Sequence, residues 1–360
     1  MENQTKLVQV DELPGDFFHQ MTVPLVCYET PCGDVKSLWD VKEGRFSRLF
    51  IFEGPGRVDG SRAFTHQYGK TVLAVNAWSG KELNSSLYLM DEAGSILDTV
   101  VSGRIPTEAA FLSETEFFYD GKCYDCSTCQ EKWDLGLNMS GYGIHAPAPI
   151  GDNRYVIVYD TAEPEEKGVL NVFDNQGTVV HTVELPDARH WTYPIVDANR
   201  IYMACAVSSQ ESILTCYDEN LQEQWKLKYP GVWHYAEPFY DKEQKRVYFL
   251  GSPNRFYAVD TESGEVAAVR ELSCREYAKL LGVLPNHGVV VMTADTILEV
   301  WGKNLATISR HRTKGVIMRM LYAEDKCYLI TLKDGDWETD SKTGEKKNTG
   351  AARLYELVSR

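Results

Sequence analysis

One four-part pattern recurs along nearly the whole of this chain, and residues 145–185 display it most fully. His145-Ala-Pro-Ala-Pro-Ile leads into a polar turn at Gly151–Arg154 and the apolar run Tyr155–Tyr159. An acidic loop, Asp160–Gly168, precedes Val169–Phe173, a turn at Asp174-Asn-Gln-Gly177 and a last run, Thr178–Leu185. Short runs rich in β-branched and aromatic residues, punctuated by turn chemistry, predict four antiparallel strands. A four-stranded sheet repeated in tandem is the blade of a β-propeller, an all-β fold in which each blade covers the faces of its neighbours.

The turn between the third and fourth runs sets the repeat register. It reads Trp39-Asp40…Gly44, Met90-Asp91…Gly94, Tyr124-Asp125…Cys129, Phe173-Asp174…Gly177, Tyr217-Asp218…Leu221 and Val259-Asp260…Gly264, with a degraded copy at Trp301-Gly302-Lys303-Asn304. Aspartate opens each turn because its side chain bonds to the backbone two residues on, and glycine supplies positive φ. Trp133 and Trp225 follow soon after their aspartates, where the outer strand is expected to pack on its neighbour. Pro149, Pro194 and Pro238 hold matching places on the first strand, ahead of the aromatic-rich runs Tyr155-Val-Ile-Val, Ile201-Tyr-Met-Ala and Val247-Tyr-Phe-Leu.

The combination of x-Pro-x-x-turn-Val-Tyr with Tyr-x-x-Asp-x-x-x-Gly-x-x-x-Trp resembles the repeats of the PQQ-like (quinoprotein-type) β-propellers, over residues 17–358 at repeat level. The resemblance implies the fold and says little of function, because that superfamily holds dehydrogenases, assembly scaffolds and binding proteins. Its quinone-binding members usually carry adjacent cysteines. This chain has no Cys-Cys pair and no obvious acid–Asn set for the accompanying Ca²⁺, so no quinone cofactor is expected.

Unit starts fall near residues 17, 61, 107, 142, 188, 232, 276 and 315, giving eight blades, or seven if the irregular first unit does not count. The last unit supplies only Val316–Tyr322, Cys327–Leu332 and Ala351–Val358. Lys6–Val10 is expected as its fourth strand, since closure from the opposite terminus removes two open sheet edges. A single domain over 1–360 follows, with 1–16 as the closing segment.

Connections between second and third strands share one face of a propeller with the links between blades. The longest insertions fall there: Asn76–Ser86, Asp160–Gly168, Ala206–Ser212 and Lys333–Gly350. Long loops on one rim of a rigid scaffold are the usual place for recognition. Trp78, Trp191, Trp233 and Tyr235 are the candidate partner-binding residues, whereas Lys333–Gly350, with Gly, Lys and Thr throughout, reads as a solvated insertion.

The formal net charge of −15, with no basic cluster, argues against nucleic acid or an anionic membrane surface and leaves a protein or peptide partner of basic character. Met-Glu-Asn-Gln-Thr-Lys shows no secretory pattern, and no run approaches a membrane span. Nine cysteines without a secretion signal read as reduced thiols, so a cytoplasmic monomer is expected.

Two constellations could carry chemistry. His145, His190 and His234 each stand four residues before a matched proline, spaced by 45 and 44 residues, which places them at the channel rim. Neutral imidazole binds Zn, Mn, Fe or Ni and acts as a base near neutral pH; repeat inheritance would produce the same spacing. His66 and His19 lie toward the same rim with poorer alignment. Cys123, Cys126 and Cys129 have the spacing of a thiolate knuckle but overlay an ordinary hairpin with no second pair nearby, and Cys27 and Cys32 read the same way. Glycine-rich phosphate loops, a G-x-S-x-G elbow and an H-E-x-x-H helix are absent. The favoured function is therefore a non-enzymatic binding platform. The alternative is a metal-dependent lyase or hydrolase that uses a divalent ion on the histidines, with a carboxylate or Lys279 nearby.

Overall fold

The computed structural model describes residues 5–14, 21–22, 25–26, 28–29, 35–40, 45–51, 57–79, 82–91, 95–102, 109–144, 146–162, 167–185, 190–191, 194–197, 199–208, 210–230, 238–251, 255–272, 278–285, 287–323, 326–333, 337–339, 346–348 and 350–359. Among these, seven four-stranded antiparallel sheets follow one another along the chain, each ordered from a first, innermost strand to a fourth, outer one. The first unit supplies its strands in two pieces. Met21–Thr22 pairs with Leu25–Val26, and Tyr28–Glu29, Val35–Asp40 and Arg45–Ile51 form a three-stranded sheet. Complete blades thus number seven among the described residues, and the interrupted unit is the irregular first one.

In units 4 and 5 the innermost strand is split. Met139–Ile144 and Ala148–Pro149 both pair with Arg154–Thr161; His190–Trp191 and Ile195–Asp197 both pair with Arg200–Ala206. Proline has no N–H for the ladder, and the matched prolines stand at strand ends: Pro194 and Pro238 directly precede Ile195–Asp197 and Phe239–Asp241, and Pro149 closes the two-residue strand Ala148–Pro149. Third strands, flanked by strands on both sides and blades on both faces, are buried almost throughout, as in Gly168–Asp174. Outer strands such as Val179–Glu184 alternate between half-buried and exposed.

The cores lie between blades. Val72, Leu87 and Leu89 of unit 2 pack against Phe111 and Phe117 of unit 3. Tyr202, Leu214 and Tyr229 of unit 5 pack against Val247, Phe249 and Tyr257 of unit 6. The ring is closed by Thr5–Pro14, which pairs with Ala351–Ser359 as the outer strand of the last blade in the register Lys6↔Val358 to Pro14↔Ala351, with one irregularity between Gln9 and Asp11. Arg353 Nε donates to Glu12 Oε2 across this seam at 2.9 Å. The expected strand forms at the expected edge and runs four residues beyond Val10.

The described aspartate turns close as their chemistry requires. Asp174 Oδ1 accepts from the backbone N–H of Gln176 and Thr178, Asp218 Oδ1 from Asn220 and Gln222, and Asp260 Oδ1 from Glu262 and Ser263. The left-handed residue ending the turn is Gly177 or Gly264 in two units, and Cys129, Leu221 or Leu305 in three others. The blade before explains the difference. A Cβ on Gly177 would come within 2.6 Å of Trp133, and one on Gly264 within 2.7 Å of Trp225, both on the preceding blade's outer strand. No tryptophan stands on the outer strands ahead of Cys129, Leu221 and Leu305, and there a side chain fills the place, with Leu221 and Leu305 only 4% and 2% exposed.

Candidate functional site

On the face with the second-to-third connections, the described backbone differs from the sequence expectation in two places. Asn76–Ser86 is not a loop. Lys70–Ser79 and Glu82–Met90 continue their ladder through Trp78↔Leu83 to Ser79↔Glu82, and Arg57 of the first strand is paired opposite Trp78. Three strands of unit 2 therefore rise together at this rim, because the alternation Val-Leu-Ala-Val-Asn-Ala-Trp keeps a strand pattern past the point where Asn suggests a loop. Within Lys333–Gly350, Trp337–Thr339 pairs with Lys346–Asn348 in the register Trp337↔Asn348 to Thr339↔Lys346, so this insertion carries a hairpin of its own rather than being wholly irregular.

The shorter connections are tied by local bonds. Thr161 Oγ1 accepts from Lys167 N–H at 3.0 Å, and Ser208 Oγ accepts from the N–H groups of Gln210 and Glu211 at 3.1 Å. Lys167 pairs with Glu184, and Lys228 with Glu211, across the adjoining outer strands. These exposed pairs are worth little singly and leave the rim polar.

The histidine trio is described at one position only. His190 lies on the innermost strand of unit 5 opposite Ala206, with Trp191 opposite Cys205, at the end of the blade where the second-to-third connection begins. His145, His234, Trp233 and Tyr235 lie outside the described residues, as do Cys27, Cys32 and His19. Lys279 opens the first strand of unit 7 and is exposed.

The cysteine trio does not converge. Cys123 packs with Phe118, Ile157 and Phe173 between units 3 and 4. Cys126 and Cys129 belong to the core on the other side of the blade, between units 2 and 3. Alternation along the strand and the turn that follows separates them. Burial pushes the Cys123 thiol up to about 12 and those of Cys126 and Cys129 up to about 11, far from the thiolate a metal or an electrophile needs. Among the described residues no group of three His, Cys, Asp or Glu side chains gathers as a metal site.

The opposite face carries an inter-blade polar contact that no repeat pattern announces. Tyr240 OH of unit 6 donates to Asp197 Oδ2 of unit 5 at 2.5 Å, and its ring stacks on Tyr202 with centroids 5.8 Å apart. The signal was present in principle, as Val-Asp before a turn in one unit and Tyr-Asp before a turn in the next.

Comparison with solved structures aligns the chain with three propellers over nearly its whole length. BamB from Moraxella catarrhalis matches with a TM-score of 0.64 and 13% identity, covering 98% of this chain and 100% of that one. This fold is a β-propeller. The Dos1 propeller matches at 0.62 with 12% identity, over 97% of this chain and 94% of that one. The C-terminal WD40 domain of Sif2 matches at 0.57 with 10% identity, over 98% and 96%. No family model and no curated protein matches the sequence. At such identities the propeller likeness is one of architecture, with function left to the site.

Proposed function

We propose that this β-propeller, of the PQQ-like repeat type, is a non-enzymatic platform that recognises a protein or peptide through the face of its second-to-third connections. The observation that carries the reading is the built relief of that face. Unit 2 raises a paired ladder to Ser79↔Glu82, and the last blade adds the paired strands Trp337–Thr339 and Lys346–Asn348. The third-to-fourth turns on the other face are short and stereotyped. Paired strands hold a recognition surface with less ordering cost than free loops do, which favours affinity for an extended partner. The net charge of −15 favours a basic one and predicts salt-sensitive association.

The test is to pan a random peptide library on the immobilised protein at low salt. Enrichment of Lys/Arg-rich peptides is expected, with retention lost on Trp78→Ala or on deletion of residues 337–348 and kept on Val180→Ala, an exposed outer-strand control. Peptides with no basic bias, or peptides held equally by all four proteins, would overturn the reading.

A further inference from the structure

The innermost strands of units 5 and 6 end on aspartates in the same register: Asp197 pairs with Arg200, and Asp241 with Arg246, across their first-to-second hairpins. Asp197 is satisfied by the next blade, through the phenol of Tyr240 at 2.5 Å. One unit on, the position corresponding to Tyr240, next to last in the ladder, is Val283. A valine side chain has no donor to give. Asp241 Oδ1 accepts from Gln244 N–H at 3.0 Å, while Oδ2 is buried with no hydrogen-bond partner, in a residue only 3% exposed. Burial raises its carboxyl above the ordinary aspartate value, against the lowering effect of the backbone N–H groups of Gln244 and Glu243.

Beside Asp241 and Val283 there is space. A cavity of about 320 Å³ opens between the two blades, walled by Phe239, Tyr240, Asp241, Val283 and Pro285, with exposed Lys242 and Glu243 beside them. Phe239 and Val283 pack on the core that contains Tyr248, which occupies in unit 6 the register that Tyr202 holds in unit 5. The neighbourhood thus repeats the cradle of Tyr240 with the phenol left out.

We propose that this cavity binds a phenol, which would stand to Asp241 as Tyr240 stands to Asp197. A flat apolar ring suits the Phe239, Val283 and Pro285 walls, and its hydroxyl supplies the partner that Oδ2 lacks. A buried polar group left unpaired discriminates strongly for the ligand that pairs with it. The site lies on the face opposite the proposed partner surface and does not rest on that reading.

The probe is p-cresol, the tyrosine side chain as a free molecule, titrated by protein-observed NMR or calorimetry, with toluene as the ring without the hydroxyl. Saturable p-cresol binding is expected, with toluene weaker by about tenfold or more, the worth of one hydrogen bond to a carboxylate. Val283→Tyr should fill the cavity from within, abolish p-cresol binding and leave the melting temperature equal or higher. Asp241→Asn, a nearly isosteric change, should weaken p-cresol and leave toluene unaltered. N-acetyltyrosinamide separates the two sources of the group: binding comparable to p-cresol points to a tyrosyl side chain of a partner, and binding of p-cresol alone to a small phenol. No saturable binding, toluene equal to p-cresol, or p-cresol binding that survives both substitutions would each overturn the proposal.

Discussion

Replacing Gly264 by alanine tests the idea that each turn is shaped by the blade before it. Gly264 has φ +72°, and an added Cβ would sit 2.7–2.9 Å from three atoms of the Trp225 indole. Two costs follow. The left-handed backbone costs an L-residue about 1–2 kcal/mol, and forcing a methyl into a packed contact about 1–3 kcal/mol, so about 2–5 kcal/mol is expected in all. At about 2 °C per kcal/mol for a chain of this size, the melting temperature should fall by about 4 °C or more.

The two costs can be separated. In a Trp225→Ala background the methyl meets no indole, and only the backbone cost remains. A double-mutant cycle in urea should therefore return a coupling of about 1–3 kcal/mol, with the double variant more stable than the sum of the singles. Equal penalties for Gly264→Ala in both backgrounds would refute the packing argument. A penalty under about 0.5 kcal/mol in the wild type would refute the argument as a whole.

Three further outcomes follow from the same structure. Deleting residues 1–14 bares the edge of Ala351–Ser359 and removes the Glu12–Arg353 pair, so the protein should aggregate or melt far lower; a truncated chain melting at the wild-type temperature would refute closure. Trp225 Nε1 donates to Thr261 O at 3.0 Å whereas Trp133 Nε1 is buried without a partner, so Trp225→Phe should lose about 1 kcal/mol more in urea titration than Trp133→Phe, and equal losses would count against the difference. His311, bonded through Nε2 to Thr5 Oγ1 of the closing strand at 2.8 Å, is held below the ordinary histidine value of 6.5 by burial. The unfolded chain then takes up the proton first, so stability contributed by neutral His311 is present above pH 6.5 and is lost as pH falls toward the depressed value; melting profiles of wild type and His311→Gln should diverge in that window, and parallel profiles would remove His311 as the cause.

Much of the fold was legible because its signals are local. An aspartate that caps a turn and an apolar run of strand length act within a few residues, and Asp174, Asp218 and Asp260 behave as their chemistry dictates. Closure was legible from arithmetic, a last unit one strand short and a spare strand at the other terminus. The end of a strand was less so. Asn76–Ser86 reads as a loop, yet Trp78↔Leu83 extends the ladder, because pairing with a neighbour overrides weak local preference. The cysteine trio failed as a site for a geometric reason that spacing alone conceals: one thiol and the other two face different cores.

What the repeats do not show in themselves is how each differs from the next, and this is where their specificity resides. Aligning units upon one another equates Gly264 with Leu305 and treats the change as drift. Set beside the preceding outer strand, it has a cause: Trp225 covers the glycine, whereas ahead of Leu305 stands Arg270, whose Nη1 donates to the Leu305 carbonyl at 2.7 Å and whose guanidinium lies 3.9 Å over the ring of Trp301. Both devices fasten an outer strand to the next turn, one by an indole over a glycine, the other by a cation over an indole. The same offset reading links Asp197 to Tyr240 and sets Asp241 against Val283. In a ring whose cores lie between blades, the unit of physical meaning is the interface of a blade with its successor. A departure from the repeat is then informative where, as at Asp241, the successor fails to answer it.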